Sequence, residues 1–209
     1  MVAVIAAVGA IGACSNSKTE QATSSPVPSS AQSSTVAAAP AAHNQADVMF
    51  AHMMIPHHQQ AIQMSDVILS KQDIDPRVVE LAKQIKAAQG PEIERMQGWL
   101  SQWGAPGMTG MPGMNGMPGN PPSGHEGMPG TDGMMSAADM QALQNAQGVA
   151  ASKLYLTQMI THHQGAIAMA QNEIKNGQFS DEVAMAQSIA SSQQKEIDTM
   201  NQILSSLGG

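Results

Sequence analysis

The chain has 209 residues, of which 42% are hydrophobic, 12% charged and 2% aromatic, and its formal net charge is −7. That length accommodates one domain with tails, or two small domains. The composition argues against nucleic-acid binding, which requires a basic face or aromatic stacking platforms. A single Cys excludes an intrachain disulfide and a thiolate metal cluster, whereas 18 residues are Met. The sulfur in this sequence is therefore almost all thioether.

The N-terminal segment, residues 1–14, is typical of an export signal. Residues 2–13 form an apolar run that is too short to span a bilayer and suits the hydrophobic region of a signal peptide. The sequence Ile-Gly-Ala before Cys14 resembles a bacterial lipobox, which implies lipidation of Cys14 and a lipid-anchored or secreted protein of the cell envelope. No Lys or Arg precedes the run, so the true start can lie upstream, and a chance apolar segment is the alternative. Residues 15–46, mostly Ser, Ala, Thr, Pro and Gln, predict a disordered tether.

A second low-complexity segment, residues 104–135, separates two more regular regions. Its density of Gly and Pro excludes helix and strand and predicts a disordered linker. Apolar Met has no solubility role in a linker, and thioethers on a flexible backbone can wrap a soft ion. Metal capture is therefore one interpretation, and chance low complexity is the other. The residues concerned are Met108, Met111, Met114, Met117, His125, Met128, Met134 and Met135.

The regions on either side of this linker are copies of one repeat. Residues 50–65 align with 155–170 at a fixed offset, and 82–104 align with 186–208 at an offset smaller by one residue. Each half, 47–103 and 136–209, is therefore a pair of segments. Apolar residues recur at steps of three and four in these segments, which predicts amphipathic helices. The predicted fold is all-α, a four-helix bundle built from two repeated helical hairpins with pseudo-two-fold symmetry.

Local signals predict where the helices end and where they are disturbed. Pro56 should kink the first helix, and Gly90-Pro91 should interrupt the second. The capping residues predict helix starts at Asp75-Pro76, at Ser136 with Asp139 and at Ser180, and a helix end at Asn176-Gly177.

Two histidine pairs lie on the bundle-facing stripes of the first and third helices. Met54 precedes His57 by three residues and His58 by four, so the three side chains share one side of the helix. Four imidazoles in one small core are hard to satisfy without a ligand or water, although ordinary core packing is the alternative. The candidate metal ligands are His57, His58, His162, His163, Met54, Met159, Met64 and Met169.

A carboxylate recurs inside the apolar stripes of the second and fourth helices, at Glu92 and Glu196. Such a group needs a partner, which can be an imidazole N–H or the metal itself, unless the side chain reaches solvent at the edge of the stripe. Met96 and Met200 share these stripes. Together with His52 they are candidates for supporting or additional ligation.

The donor atoms in these stripes indicate which metal fits. Thioether and imidazole, without thiolate or dense carboxylate, suit copper, with Cu(I) favoured and Ag(I) by extension. Zinc sites seldom use Met, and Ca²⁺ and Mg²⁺ require oxygen ligands.

The pattern M-I-x-H-H-x-x-A-I-x-M followed by Q-x-x-E-I-x-x-M, present in both halves, resembles the bacterial domain of unknown function 305 family. The resemblance covers residues 47–103 and 136–207 and implies a ferritin-like fold. Since that family includes copper-binding envelope proteins of the CopM type, it also implies binding of Cu(I) or Cu(II) at the four histidines with neighbouring Met. We therefore predict an extracytoplasmic protein that sequesters copper, confers tolerance, or hands the metal to a copper-accepting envelope protein.

Two other classes of function remain open. Di-iron bundle oxidases place Glu-x-x-His on two helices, but the residues three before His57 and His162 are Met54 and Met159. An envelope-anchored helical module that binds a partner without metal is the other alternative. No Ser-His-Asp set, phosphate loop or dinucleotide fingerprint occurs, and we predict that the protein is not an enzyme.

Overall fold

The computed structural model describes residues 42–105 and 132–208, and every regular element within them is an α-helix. This confirms the predicted all-α class. Cys14, the tether up to residue 41 and the linker residues from Met108 to Met128, including His125, lie outside the described residues. The helices are α1 (Gln45–Leu69), α2 (Pro76–Gln102), α3 (Ala137–Asn145), α4 (Gly148–Asn176) and α5 (Ser180–Ser206). None of them is long and apolar enough to cross a membrane.

The described residues form five helices where four were predicted, and the additional helix lies in the second half. Ser136 and Asp139 form the predicted capping box, but the helix that they begin ends at Asn145. The chain then becomes extended and restarts at Gly148, which has a φ of +54° that glycine adopts without steric cost. The break lets α3 fold against α1 and α4 and bury Leu143 completely.

The other predicted helix ends are mostly confirmed. Asp75 caps α2 by accepting from the Arg77 N–H, with Pro76 as first helical residue, and α4 ends at Asn176. The prediction that Ser180 caps the last helix is wrong. Ser180 is already helical, and the preceding Phe179 donates its N–H to the Asp47 side chain at 2.9 Å. The first N–H groups of α5, those of Glu182 and Val183, are accepted by the Phe179 backbone carbonyl, and no side chain among the described residues caps this helix.

The prolines do not break the helices. α2 runs continuously through Gly90 and Pro91, so the predicted interruption is wrong, and α1 continues through Pro56. Both prolines lie on exposed faces, where water can satisfy the backbone carbonyls that lose their helical partners.

The helices pack as the repeat implies, with α1 against α2, α4 against α5, and the two pairs joined mainly through α1 and α4. The apolar core divides into two clusters, one containing Phe50 and Met54 and the other containing Ala61 and Met64. On α4 the same division falls between Met159 and Ala166. The histidine pairs of both helices occupy the level between the two clusters.

Candidate metal centre

The four predicted histidines meet at the centre of the bundle. His57 on α1 stacks on His162 on α4, with ring centroids 3.7 Å apart and an interplanar angle of 37°. His58 and His163 follow in the next positions, and the exposed fraction of all four residues is 1% or less. The structure thus brings together the two pairs that the repeat predicted to meet. We call these four residues the histidine layer.

Each half of the repeat supplies one carboxylate to the histidine layer. The Nε2 atom of His58 lies 2.8 Å from Oε2 of Glu92 on α2, and Nε2 of His163 lies 2.6 Å from Oε2 of Glu196 on α5. The two Glu side chains are 21% and 20% exposed. Of the alternatives that the sequence leaves open for these two carboxylates, the structure therefore shows a hydrogen bond to an imidazole. Each carboxylate makes it from the edge of the core.

Six ring nitrogens of the histidine layer have no hydrogen-bond partner among the described residues. They are both nitrogens of His57, both of His162, and the Nδ1 atoms of His58 and His163. Buried polar atoms are rarely left in this state, because desolvation without a partner costs free energy. The arrangement therefore leaves nitrogen lone pairs available in the core.

Burial also determines the protonation of the central pair. Desolvation, with the neighbouring His58 and His163, lowers the pKa of His57 to about 3. The pKa of His162 is lowered well below its usual value, by desolvation first and then by the adjacent imidazoles. Both rings are thus neutral at pH 7, which is the form that binds metal ions.

Buried thioethers lie on both sides of the histidine layer. The two apolar clusters each contain four buried methionines, and three of the four in each are candidate ligands, one from α1, one from α4 and one from α2 or α5. All six are at most 7% exposed. The two trios are Met54, Met96 and Met169 in one cluster, and Met64, Met159 and Met200 in the other.

His52 is separate from this arrangement. It lies five residues before His57, which places it about 140° round α1 from that side chain. Burial lowers its pKa, and its exposed fraction is 9%. The structure does not bring it into the histidine layer.

The end of the Met-rich linker packs beside the histidine layer. The Gln60 side chain makes two hydrogen bonds to the Met135 backbone, at 2.9 and 2.7 Å. On α4, a Cβ at Gly165 would collide with the Asp132 carbonyl, so glycine is required for this close approach. Gln60 and Gly165 are equivalent positions of the repeat, and both follow a histidine pair. The linker therefore leaves the bundle from the level of the histidines.

The sequence analysis missed one cluster of titratable groups. Asp47, Glu173 and Glu182 are fully buried and converge at one end of the bundle. Asp47 could be anticipated only as a helix-capping residue. The cluster does not recur in the other half, so the repeat gave no signal for it.

The chain belongs to the family described as Domain of unknown function (DUF305), which matches residues 47–204 and confirms the predicted resemblance. No curated protein matches the chain. A DUF305 protein of Streptomyces coelicolor, described as secreted, is 31% identical with a TM-score of 0.67, covering 78% of this chain and 93% of that one. A DUF305 fragment from Deinococcus radiodurans is 28% identical with a TM-score of 0.63, covering 80% and 99%. CopM in its Cu(I)-bound form is 31% identical with a TM-score of 0.60, covering 78% and 98%, and it has also been solved in Cu(II)- and Ag-bound forms.

Proposed function

We propose that this protein binds copper at the histidine layer, with the two methionine trios as neighbouring thioether donors. The observation that carries the proposal is the set of six buried ring nitrogens without a hydrogen-bond partner among the described residues. A bound ion would satisfy nitrogens that the protein itself does not. Similarity to CopM, which has been solved with Cu(I), Cu(II) and Ag, supports the same metals here.

The donor set favours Cu(I) over the harder or more oxygen-seeking ions. Neutral imidazole and thioether are soft to intermediate donors, and no thiolate is among the described residues. Glu92 and Glu196 already bind imidazole nitrogens, so they do not form the oxygen-rich site that a di-iron oxidase requires. Copper carriage without catalysis is therefore our proposal for the role of the layer.

The two carboxylates would fix the outer imidazoles in place. A carboxylate that accepts from one ring nitrogen sets the tautomer and leaves the other nitrogen free to bind a metal. The Nδ1 atoms of His58 and His163 are the ones left free. Glu196 also lines a surface groove between α2 and α5.

The linker would collect the metal for the bundle. Its thioethers can capture a soft ion without a preformed cavity, and its last residues, Asp132 to Met135, pack at the level of the histidines. An extracytoplasmic location, with a lipid anchor at Cys14, would suit sequestration or handover to an envelope acceptor. Similarity to a protein described as secreted supports the location.

An anaerobic Cu(I) titration against a competing chelator tests the proposal. The parent should bind tightly and near stoichiometrically, and changing His57, His58, His162 and His163 to Ala should remove the tightest binding. Deleting residues 108–128 should remove only weaker equivalents, because those thioethers must be ordered on binding. The deletion stops short of residues 132–135, since these pack against the bundle.

Controls separate loss of ligands from loss of fold. His43→Ala removes an imidazole that stacks on Trp103 and should keep full binding. The double change His57→Leu with His162→Leu nearly conserves volume and should also lose tight binding, with helical circular dichroism retained. Zn²⁺ should compete poorly throughout. Full tight binding in the histidine variants, lost instead in the deletion, would assign the metal to the linker, and no copper binding at all would favour a partner-binding module.

A further inference from the structure

Three carboxyl groups meet at the end of the bundle where α4 connects to α5. Asp47 lies in the first turn of α1, Glu173 in the last turn of α4 and Glu182 in the first turn of α5. The exposed fraction of each residue is 0%. One oxygen from each side chain lies within 4.8 Å of those from the other two. We call these three residues the carboxylate cluster.

The two glutamates in the carboxylate cluster have no hydrogen-bond donors. None of their four oxygens has a partner among the described residues. Asp47 differs, because it accepts the backbone N–H groups of Gln178 and Phe179 at 2.8 and 2.9 Å. Burial, together with the adjacent carboxylates, raises the pKa of Glu173 to about 8 and that of Glu182 to about 9. In the metal-free protein both glutamates are therefore protonated at pH 7, and their fully buried oxygens share a small space with the Asp47 carboxylate.

Packing does not require carboxylates at these positions. The repeat offsets make Ile68 the counterpart of Glu173 and Val78 the counterpart of Glu182. Both are fully buried aliphatic residues in the apolar cluster at the opposite end of the bundle. The same scaffold position therefore accepts an aliphatic pair, and the glutamates need an explanation other than the fold.

We propose that Asp47, Glu173 and Glu182 form a binding site for a hard divalent cation of the size of Ca²⁺. The site offers only oxygen donors, which is the ligand type that such cations prefer. Ligands on opposite sides of Ca²⁺ are separated by about 4.6–5.2 Å, against about 4.2 Å for Mg²⁺. The three oxygens lie within 4.8 Å of one another, so they can reach one ion together, and a fully buried set of protein oxygens suits Ca²⁺ better than Mg²⁺, which usually keeps several water ligands.

Charge and position support this assignment. A divalent cation would displace the protons of Glu173 and Glu182, and the three carboxylates and the cation would then carry a single negative charge, which the positive N-terminal ends of α1 and α5 offset. Asp47 precedes His57 by ten residues, about 15 Å along α1. The site is therefore separate from the histidine layer and differs from it in donor chemistry. A cation there would tie the start of α1 to the α4–α5 connection.

Isothermal titration of the chelator-treated full chain with CaCl₂ at pH 9 tests the site, because that pH is above the pKa of Glu173 and near that of Glu182, and binding should weaken at pH 7 as protons compete. We expect one equivalent of Ca²⁺, with a dissociation constant at or below about 10⁻³ M, the weak end of protein Ca²⁺ sites. Ca²⁺ should also raise the melting temperature. Glu182→Gln should weaken binding at least about tenfold, since it removes one charged ligand. Asp181→Asn is the matched control, because it makes the same change in the same turn on an exposed residue, and it should bind like the parent.

A second variant keeps the test decisive if single changes disturb folding. Glu173→Ile with Glu182→Val copies the aliphatic pair of the other half, so it should fold normally, bind no Ca²⁺ and show no melting shift with Ca²⁺. Its copper binding should match that of the parent, which separates this site from the histidine layer. Absence of Ca²⁺ binding by the parent at about 10 mM, ten times the weak limit, overturns the proposal. Binding by this double variant equal to that of the parent also overturns it.

Discussion

His57→Leu should make the stability of the metal-free protein less sensitive to acid. The folded-state pKa of His57 is about 3, because the ring is desolvated and close to other imidazoles. In the unfolded chain a histidine takes up a proton near pH 6.5. As the pH falls below 6.5, the unfolded state binds a proton that the folded state excludes. The parent therefore loses stability over the window from about pH 6.5 to about pH 3, and is fully stabilised above it.

The size of the effect follows from the same two pKa values. Each pH unit inside the window is worth about 1.4 kcal/mol, so moving from pH 7.5 to pH 5 costs the parent about 2 kcal/mol through this residue. His57→Leu removes that cost. The substitution also changes the free energy of unfolding through packing, by an amount that does not depend on pH. The difference in unfolding free energy between variant and parent should thus shift by about 2 kcal/mol in favour of the variant.

Urea unfolding followed by circular dichroism, at pH 7.5 and pH 5 with a chelator present, measures this difference. Using the difference between two proteins cancels the contributions of Glu173, Glu182 and the other carboxyl groups. Met64→Leu is the control, because it changes a buried, non-titrating side chain in the neighbouring cluster and should give a pH-independent difference. A His57→Leu difference equally independent of pH would show that the ring takes up its proton in the folded state at the same pH as in the unfolded chain, which contradicts a desolvated ring.

Three further predictions concern the thioethers, the linker and the anchor. Met54→Leu with Met159→Leu removes one sulfur from each trio at nearly constant volume, so urea unfolding should show a loss of less than about 1.5 kcal/mol per site. A Cu(I) competition titration of this variant should show weaker binding. Unchanged affinity would exclude these two sulfurs as ligands. Gly165→Ala places a Cβ against the Asp132 carbonyl, so limited proteolysis should cut near residues 132–135 faster than in the parent. Gly90→Ala is the control and should not have this effect, because this helical glycine has open space around it. Cys14→Ala should release the protein from the membrane fraction, because acyl chains would supply its membrane affinity, and unchanged retention would refute the lipid anchor.

The repeated part of the molecule could be predicted from the sequence because symmetry doubles each signal. A lone buried histidine is ambiguous, but His57 and His162 occupy equivalent positions, and the structure stacks them. For Glu92 and Glu196 the sequence leaves open two partners, an imidazole and the metal, or exposure to solvent, because a helical projection gives direction and not distance. Only the packing of α1 on α2 and of α4 on α5 decides that each carboxylate reaches an imidazole.

The features that were wrong or missed depend on contacts between elements that differ in the two halves. Ser180 has the residue type of a helix cap, but α5 starts one residue earlier than that prediction, because Asp47, more than a hundred residues away, accepts the N–H groups of Gln178 and Phe179 just before the helix. The break before Gly148 is decided by the burial of Leu143 against α1 and α4, which no local pattern reveals. Gly90-Pro91 has the local propensity of a helix breaker. Pro91 lies on an exposed face, where water can satisfy the backbone groups that lose their helical partners, so α2 continues through it.

The division between repeated and unrepeated residues also separates two kinds of chemistry in one bundle. Imidazole and thioether recur in both halves. The imidazoles lie between the two apolar clusters, and the thioethers belong to the clusters on either side, which is the donor set that we propose for a soft ion. The carboxylate cluster occurs once, at an end where the repeat elsewhere packs Ile68 and Val78. A duplicated ligand set requires the two halves to be held in register, and the link from Asp47 to the α4–α5 connection joins one half to the other. The carboxylate cluster and the histidine layer therefore share α1 and α4 but lie at different levels of the bundle.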